Sequence, residues 1–265
     1  MATASIGHAQ EVTEESFNEP RFDAWPPCWF ISTSTDLGVL YLRPRVSFGW
    51  GVPHTSWVGL DINPVLSTTA PGGYIGFRLH LDHFDFRIGS RASYSLKRSA
   101  LIPKNSYTED EVFIRPSERL DPRSAYVAGE SEVTFDVPLG PGSIGGELAG
   151  TLIGFSPEDR FVFEERLRVV VDPPWVVKAR LGYEIPFSVK TVRVRLQPAG
   201  EILFAKSRDE PTVRAGVLLN FPLAPRLSIR ANYLATVSSP DQLGFTGNNF
   251  GEVTLRWRWA TSIAY

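Results

Sequence analysis

No run of about 18 apolar residues occurs anywhere in the 265-residue chain, which removes transmembrane helices. It does not remove the membrane, because a closed barrel satisfies its backbone between strands and leaves no such run. Cysteine is nearly absent. Cys28 stands alone in Trp25-Pro26-Pro27-Cys28-Trp29, so an internal disulfide or a cysteine-rich metal site is excluded. The bulky Trp25 and the two prolines also occupy the place where a lipid-attachment signal needs small residues. Lysine is scarce, 5 against 22 arginines, and the net charge is −2, so the chain is not a polybasic nucleic-acid binder. Few Lys beside abundant Arg, Ala, Gly, Pro and Val suggests a GC-rich genome. With only His8, His54, His80 and His83, the room for histidine chemistry is narrow.

What is present is alternation. Apolar residues make up 43% and aromatics 12% of the chain, enough for one folded all-β unit. From about Leu37 the apolar positions repeat every second residue. Leu40, Leu42, Val46, Phe48 and Trp50 alternate with Tyr41, Arg43, Arg45, Ser47 and Gly49, then Val58, Leu60 and Ile62 with Gly59, Asp61 and Asn63. Ile75, Phe77, Leu79 and Leu81, then Phe84, Phe86 and Ile88, continue the pattern. Beyond a polar stretch from Lys97 to Arg123, strands are expected at 124–138, 143–155, 160–171, 174–186, 189–205, 211–221, 226–237 and 251–265, twelve in all. Gly140-Pro141-Gly142, Asp172-Pro173-Pro174, Pro222 to Pro225 and Ser239-Pro240-Asp241 supply the breaks. Short extra strands at Cys28–Thr33 and Glu111–Pro116 would raise the count to fourteen.

Alternation alone does not say whether the apolar face meets a core or lipid. Segments that alternate for ten residues or more match the roughly 9–11 residues that span a bilayer, whereas soluble strands average about 5–6. Opposite the apolar residues, Arg43 and Arg45, Arg166 and Arg168, Lys178 and Arg180, Arg193 and Arg195, and Arg256 and Arg258 recur two apart. In a transmembrane barrel that parity lines the lumen. Arg78, Arg87, Arg91, Arg214 and Arg230 join it, with Asp61, Asp82, Asp85, Glu130, Glu132, Asp136, Glu147, Glu164, Glu184, Glu201 and Glu252 as acidic partners. Trp50, Tyr74, Tyr94, Tyr126, Trp175, Tyr183, Phe221 and Tyr233 are expected at the interfacial girdles.

At the C-terminus Val253, Leu255, Trp257, Trp259, Ile263 and Tyr265 share one parity, with Thr261 the exception, while Glu252, Thr254, Arg256 and Arg258 take the other. This strand resembles the C-terminal signal of bacterial outer-membrane proteins. The resemblance implies a porin-like, antiparallel up-and-down β-barrel, delivered by the barrel-assembly machinery and bathed in outer-membrane lipid and lipopolysaccharide. Small Gly7 and Ala9 near the N-terminus resemble the tail of an export signal. Residues 1–35 are accordingly expected to be a signal remnant and periplasmic leader, and 36–265 the barrel.

Three functions remain open at this point. Paired lumen charges would fill the barrel and make it a non-enzymatic anchor or an interaction component of an envelope assembly such as a motility or secretion machine. An unfilled lumen would be a porin-like channel with a mild anion preference. A hydrolase would draw on His80, Asp82, His83 and Asp85, which resemble the Asp–His pair of outer-membrane proteases or a metal site, and which equally read as a polar turn. His54-Thr55-Ser56 resembles the His-x-Ser of barrel phospholipases, but Trp57 breaks their pattern. No cofactor is expected.

Overall fold

The computed structural model describes residues 25–39, 41–112, 123–189, 192–206, 208–224, 226–244 and 248–263. The signal, the leader up to residue 24, Leu40, Pro116 and Tyr265 lie outside the described residues. The elements in chain order are β1 (Cys28–Gly38), β2 (Tyr41–Val52), β3 (Ser56–Ser67), β4 (Gly72–Leu81), β5 (Phe84–Ser99), α1 (Glu109–Val112), β6 (Arg123–Leu139), β7 (Gly142–Gly154), β8 (Val162–Glu164), β9 (Val169–Val171), β10 (Trp175–Val189), β11 (Val192–Ala205), β12 (Thr212–Ala224), β13 (Leu227–Ser238) and β14 (Phe250–Ser262).

Twelve of these strands form an antiparallel ring in which each pairs with the wall strand next to it in sequence, β7 with β10 across the β8–β9 insertion, and β1 closes on β14 from Phe30↔Ser262 to Gly38↔Thr254. The result is a closed barrel without an edge, the one strand arrangement whose backbone is fully paired in hydrocarbon. β8 and β9 form a separate two-stranded sheet and take no part in the wall.

The expected number of twelve is met by a different set of strands. Cys28–Gly38, placed largely in the leader, is a full wall strand, so the barrel begins before residue 36. Residues 160–171, expected to span, instead turn back on themselves as β8 and β9. Of the proposed fourteenth strand, Glu111 and Val112 lie in the single helical turn α1, and residues 113–116 lie outside the described residues.

This exchange reverses the sense of every connection. β2 and β3, β4 and β5, β6 and β7, β10 and β11, and β12 and β13 follow each other within two or three residues at one end, where β1 also begins and β14 ends. Residues 100–122, 155–174 and 239–249 make long links at the other. The two are called here the turn end and the loop end. At the turn end Gly140 holds φ +60, a left-handed conformation that glycine takes without strain, and Gly140-Pro141 thereby joins β6 to β7 in two residues.

The faces are inside out relative to a soluble barrel. Leu42, Phe48, Trp50, Leu60, Ile62, Phe77, Ile88, Leu148, Leu181, Val217, Val253 and Trp257 are exposed on the outside, while Asp36, Asp61, Arg87, Arg91, Glu130, Lys178, Glu201 and Arg214 are buried inside. An apolar band around the whole circumference far exceeds the few hundred Å² that a water-soluble surface tolerates. In lipid it is the solvated face, and an even-stranded antiparallel barrel so arranged is an outer-membrane protein. Ile62, mid-strand and outward on β3, is therefore expected to cost about 2–4 kcal/mol when replaced by Arg, and Val237, one residue from the loop end of β13, about 0–1 kcal/mol. Urea-unfolding midpoints of the two variants in liposomes check this; equal losses would contradict a lipid-facing band.

Candidate functional site

Cross-strand register brings inward acids to basic residues, some directly opposite and others on the diagonal. Asp36 faces Arg43 on β2 and Arg256 on β14, and accepts from Arg43 Nη2 at 2.8 Å and from Arg256 Nε and Nη2 at 2.5 and 2.6 Å. Glu252 adds a second acid against Arg43 at 3.5 Å. Asp61 accepts from Ser47 at 2.8 Å and lies 3.4 Å from Arg45 and 3.6 Å from Arg78. Asp85 faces His80 in register, its Oδ2 2.6 Å from His80 Nδ1 and 2.7 Å from Arg78 Nε.

Farther round the wall, Arg87 donates to Glu132 at 2.5 Å and Arg91 to Glu130 at 2.6 Å. Glu147 pairs with Lys178 and, at 3.3 Å, with Arg180, while Glu201 takes Arg180 Nη2 at 2.5 Å and Arg214 Nη1 at 3.0 Å. Arg78, Arg87 and Arg91 also lie over the rings of Trp57, Tyr74 and Tyr126. Buried charges are tolerated only when so compensated, because desolvation of an unpaired ion costs several kcal/mol.

The connection 155–174 runs into this lumen. Glu164 on β8, fully buried, is bound by Arg91 and accepts from the Tyr126 hydroxyl at 2.8 Å and from the Leu167 backbone N–H. Arg166, in the turn between β8 and β9, donates to Glu130 at 3.1 Å and Glu132 at 2.7 Å, reaching the middle of β6. On the far side Arg214 donates to the carbonyls of Leu167 and Arg168 at 2.8 and 2.9 Å, and Arg168 donates to Asn249 O at 3.1 Å beside β14. In the strand order β6 and β14 stand six places apart in a ring of twelve, so the hairpin bridges the lumen from wall to opposite wall.

An apolar seat receives it. Ala128, Ile153, Val176 and Leu203, on four successive wall strands, face inward and pack with Val162, Leu167, Val169 and Val171 of the insert. Above it the three long connections share a second cluster of Leu101, Tyr107, Val112, Phe161, Phe163, Val170 and Leu243, and a Leu101↔Phe161 bridge ties two of them together. Arg208 pairs with Asp241, donates to Lys104 O at 3.0 Å and lies over the Tyr107 ring. Burial pushes the Tyr107 hydroxyl up to about 12, and it raises the Asp241 carboxyl despite the guanidinium beside it. At α1 the Glu111 carboxylate accepts from the Thr108 N–H at 3.0 Å and from its hydroxyl at 3.3 Å, and hydrogen bonds from Lys104 and Thr108 hold the Glu111 carboxyl below its ordinary value.

Of the residues singled out in the sequence, Arg43, Arg45, Arg78, Arg87, Arg91, Lys178, Arg180 and Arg256 are brought into the networks above. Arg195 is half exposed, 3.8 Å from Glu184, and Arg193 stands opposite Ser188 in β11. Arg258 is on the inward parity of β14, its backbone N–H donating to Arg226 O. Glu164, Arg166 and Arg168 are corrected: they belong to the inserted hairpin, because φ +53 at Arg168 and the Arg168 N–H to Glu164 O bond at 2.7 Å fold the segment back. Asp82 is corrected as well, since it lies exposed in the 82–83 turn rather than in the lumen. Tyr74 and Tyr126 leave the girdle for the interior beneath arginines, while Trp50, Tyr94, Trp175 and Tyr233 remain exposed. On β14, Val253, Leu255 and Trp257 are exposed, Trp259 shares their parity, and Ile263 follows the strand with its N–H on Trp29 O at 2.8 Å.

Asp36 was not singled out, because alternation becomes visible only after it. Arg98 with Glu165 (3.1 Å) and Arg208 with Asp241 were also missed, sitting in polar stretches without period. His54, in the turn 53–55, has its Nε2 3.1 Å from Trp259 O, two strands away across β1. Burial drives its pKa down to about 4. A histidine whose folded value lies below the unfolded one stabilises fully above the unfolded value of about 6.5, and that contribution fades as pH falls toward about 4. NMR titration in micelles is expected to show His54 neutral at pH 5, whereas half-protonation near 6.5 would contradict its burial.

No protein-family model matches the chain, and no curated protein matches it. Among solved structures, the chain is similar to the beta domain of the Bordetella autotransporter BrkA, at 11% identity and TM-score 0.43, over 89% of this chain and 99% of that one. It is also similar to the NanC porin (9%, TM-score 0.33, covering 89% and 100%) and to a loop-deletion mutant of OmpT, an outer membrane protein of Vibrio cholerae (9%, 0.34, 88% and 99%).

Proposed function

We propose that this outer-membrane β-barrel is a closed, non-enzymatic anchor or interaction component of a cell-envelope assembly rather than an open channel. The observation that carries the reading is the inserted hairpin 155–174, with Glu164 fully buried between Arg91 and Tyr126 and Arg214 holding its turn from the opposite wall. A mobile constriction loop would present unpaired polar tips; this one is seated on apolar residues and held by the buried charges of Glu164 and Arg214.

Long connections face outward and short turns inward in barrels of this kind. On that rule the loop end, with its packed cap, faces the exterior, and the start of β1 and the end of β14 face the periplasm, the side on which a partner is expected to dock. A hydrolytic reading draws little from the His80 region. Asp85 divides its carboxylate between His80 and Arg78, and His83 sits on the exposed turn 3.6 Å from Asp136. Planar-bilayer recording of the refolded protein tests the proposal. Silence is expected; steady, discrete steps from the unaltered chain would replace the anchor with a pore.

A further inference from the structure

The outside of the loop end carries a feature that a uniform lipid-facing band does not need. On β5 and β6 the outward positions Ala92, Ala125 and Val127 form a low patch, while Tyr94 and Phe155 stand up on either side and the exposed Leu96 follows Tyr94 toward the rim. Phe155, the first residue after β7, holds φ +43 and is 91% exposed. Between these walls lies a groove of about 290 Å³, closed at one side by Pro71. Small-molecule sites run from roughly 300 to 1,000 Å³, so the groove suits an acyl tail rather than a whole headgroup.

Positive charge lies farther toward the rim on the same two strands. Arg98 turns inward onto the Phe163 ring and Glu165, leaving the adjoining Lys97 exposed on the other face. Arg123, on the outward parity of β6, donates through Nη1 to Leu96 O at 2.7 Å, which fixes its guanidinium on the same rim. An apolar slot under two cations, at the height where hydrocarbon gives way to headgroups, is complementary to a phosphorylated, acylated lipid.

We infer that this rim of β4 to β7 holds one lipopolysaccharide molecule, with an acyl chain between Tyr94 and Phe155 and a lipid phosphate against Lys97 and Arg123. The choice of lipopolysaccharide over an inner-leaflet phospholipid rests on the outward orientation of the loop end proposed above. Binding in detergent is read without reference to orientation, so its failure leaves that orientation to be tested separately by labelling of the loops on intact cells.

Native mass spectrometry of the full barrel, incubated separately with purified lipopolysaccharide and with phosphatidylglycerol, tests the site. The unaltered protein is expected to retain one lipopolysaccharide. The double charge reversal Lys97→Glu with Arg123→Glu, and Val127→Trp, which fills the groove floor, are each expected to reduce retention at least tenfold while heat-modifiable gel migration stays normal. Equal retention by all three proteins, no retention by the unaltered one, or retention of phosphatidylglycerol as strong as that of lipopolysaccharide would each overturn the assignment.

Discussion

Replacing residues 160–171 by a short Gly-Ser turn is expected to convert a silent barrel into a conducting one. The wall does not depend on this segment. β7 and β10 pair directly with each other from Leu152↔Trp175 to Ser143↔Glu184, so the ladder stays continuous when the connection between them is shortened. What the excision removes is the only described structure that crosses the lumen from Arg91 and Glu130 to Arg214, and with it the Phe161, Phe163 and Val170 contacts on which the cap rests. The variant also leaves Ile153, Val176 and Leu203 facing water, so its unfolding midpoint falls even as its conductance appears. A milder test avoids that loss. Glu164→Arg sets a cation against Arg91 and removes the acceptor of Leu167 N–H while leaving the β8–β9 ladder in place, and the like-charge contact is expected to unseat the hairpin intermittently and give flickering steps in the same recording. Continued silence of the excised barrel, with heat-modifiable migration unchanged, would show that the hairpin is not what closes it.

The wall was legible in the sequence because the bilayer imposes one rule on every strand. Period-two alternation located the strands from Tyr41 to Phe86, and from Arg123 onward it located their outward faces almost residue by residue, as at Val253, Leu255 and Trp257. Two segments escaped for opposite reasons. β1 carries Trp29, Ile31, Thr33, Thr35 and Leu37 outward, so threonines dilute the apolar parity, and the preceding Pro26-Pro27 suggests a leader. Residues 160–171 read as a spanning strand because a lumen hairpin also packs on two sides, with Val162, Leu167, Val169 and Val171 on the wall seat and Phe161, Phe163 and Val170 under the cap. Periodicity reports two-sidedness, not which two media are involved.

A signal for the insertion was nevertheless present. Ala128, Ile153, Val176 and Leu203 are apolar residues on the polar parity of four neighbouring strands, all in their loop-end halves. In an empty lumen such positions would face water, so their clustering marks the seat of something apolar that enters from the loop end. The charge ladder was readable as a parity but not as a network, because register decides which acid meets which arginine. Sequence spacing alone gives no reason for Asp36 to meet Arg256, 220 positions away; closure of β1 on β14 does.

That register makes Glu201 the acid whose removal is expected to be felt most. It stands between Arg180 on β10 and Arg214 on β12, directly opposite both, and is buried together with Arg214. Each of its oxygens is committed, one to Arg180 Nε and Nη2 at 3.0 and 2.5 Å and the other to Arg214 Nη1 at 3.0 Å. Glu201→Ala strands a buried guanidinium whose remaining acceptors are the Leu167 and Arg168 carbonyls, so the expected loss is about 3–5 kcal/mol in urea unfolding. The exposed Lys104–Glu111 pair is the control. The pair is worth about 0–1 kcal/mol, and Glu111→Ala, which also gives up the Thr108 cap, is expected to cost no more than about 1–2 kcal/mol. Removing both partners, as Glu201→Ala with Arg214→Met, is expected to lose less than the two single changes together, because the penalty lies in the uncompensated charge rather than in the pair. Arg214 also holds the turn of the hairpin, so Glu201→Ala frees it to shift toward Arg168 O and loosens the plug, and brief openings should accompany the fall in stability. Additive losses, or a single change as mild as Glu111→Ala, would mean that the lumen around Glu201 is wet, and a wet lumen at that depth is incompatible with a sealed barrel.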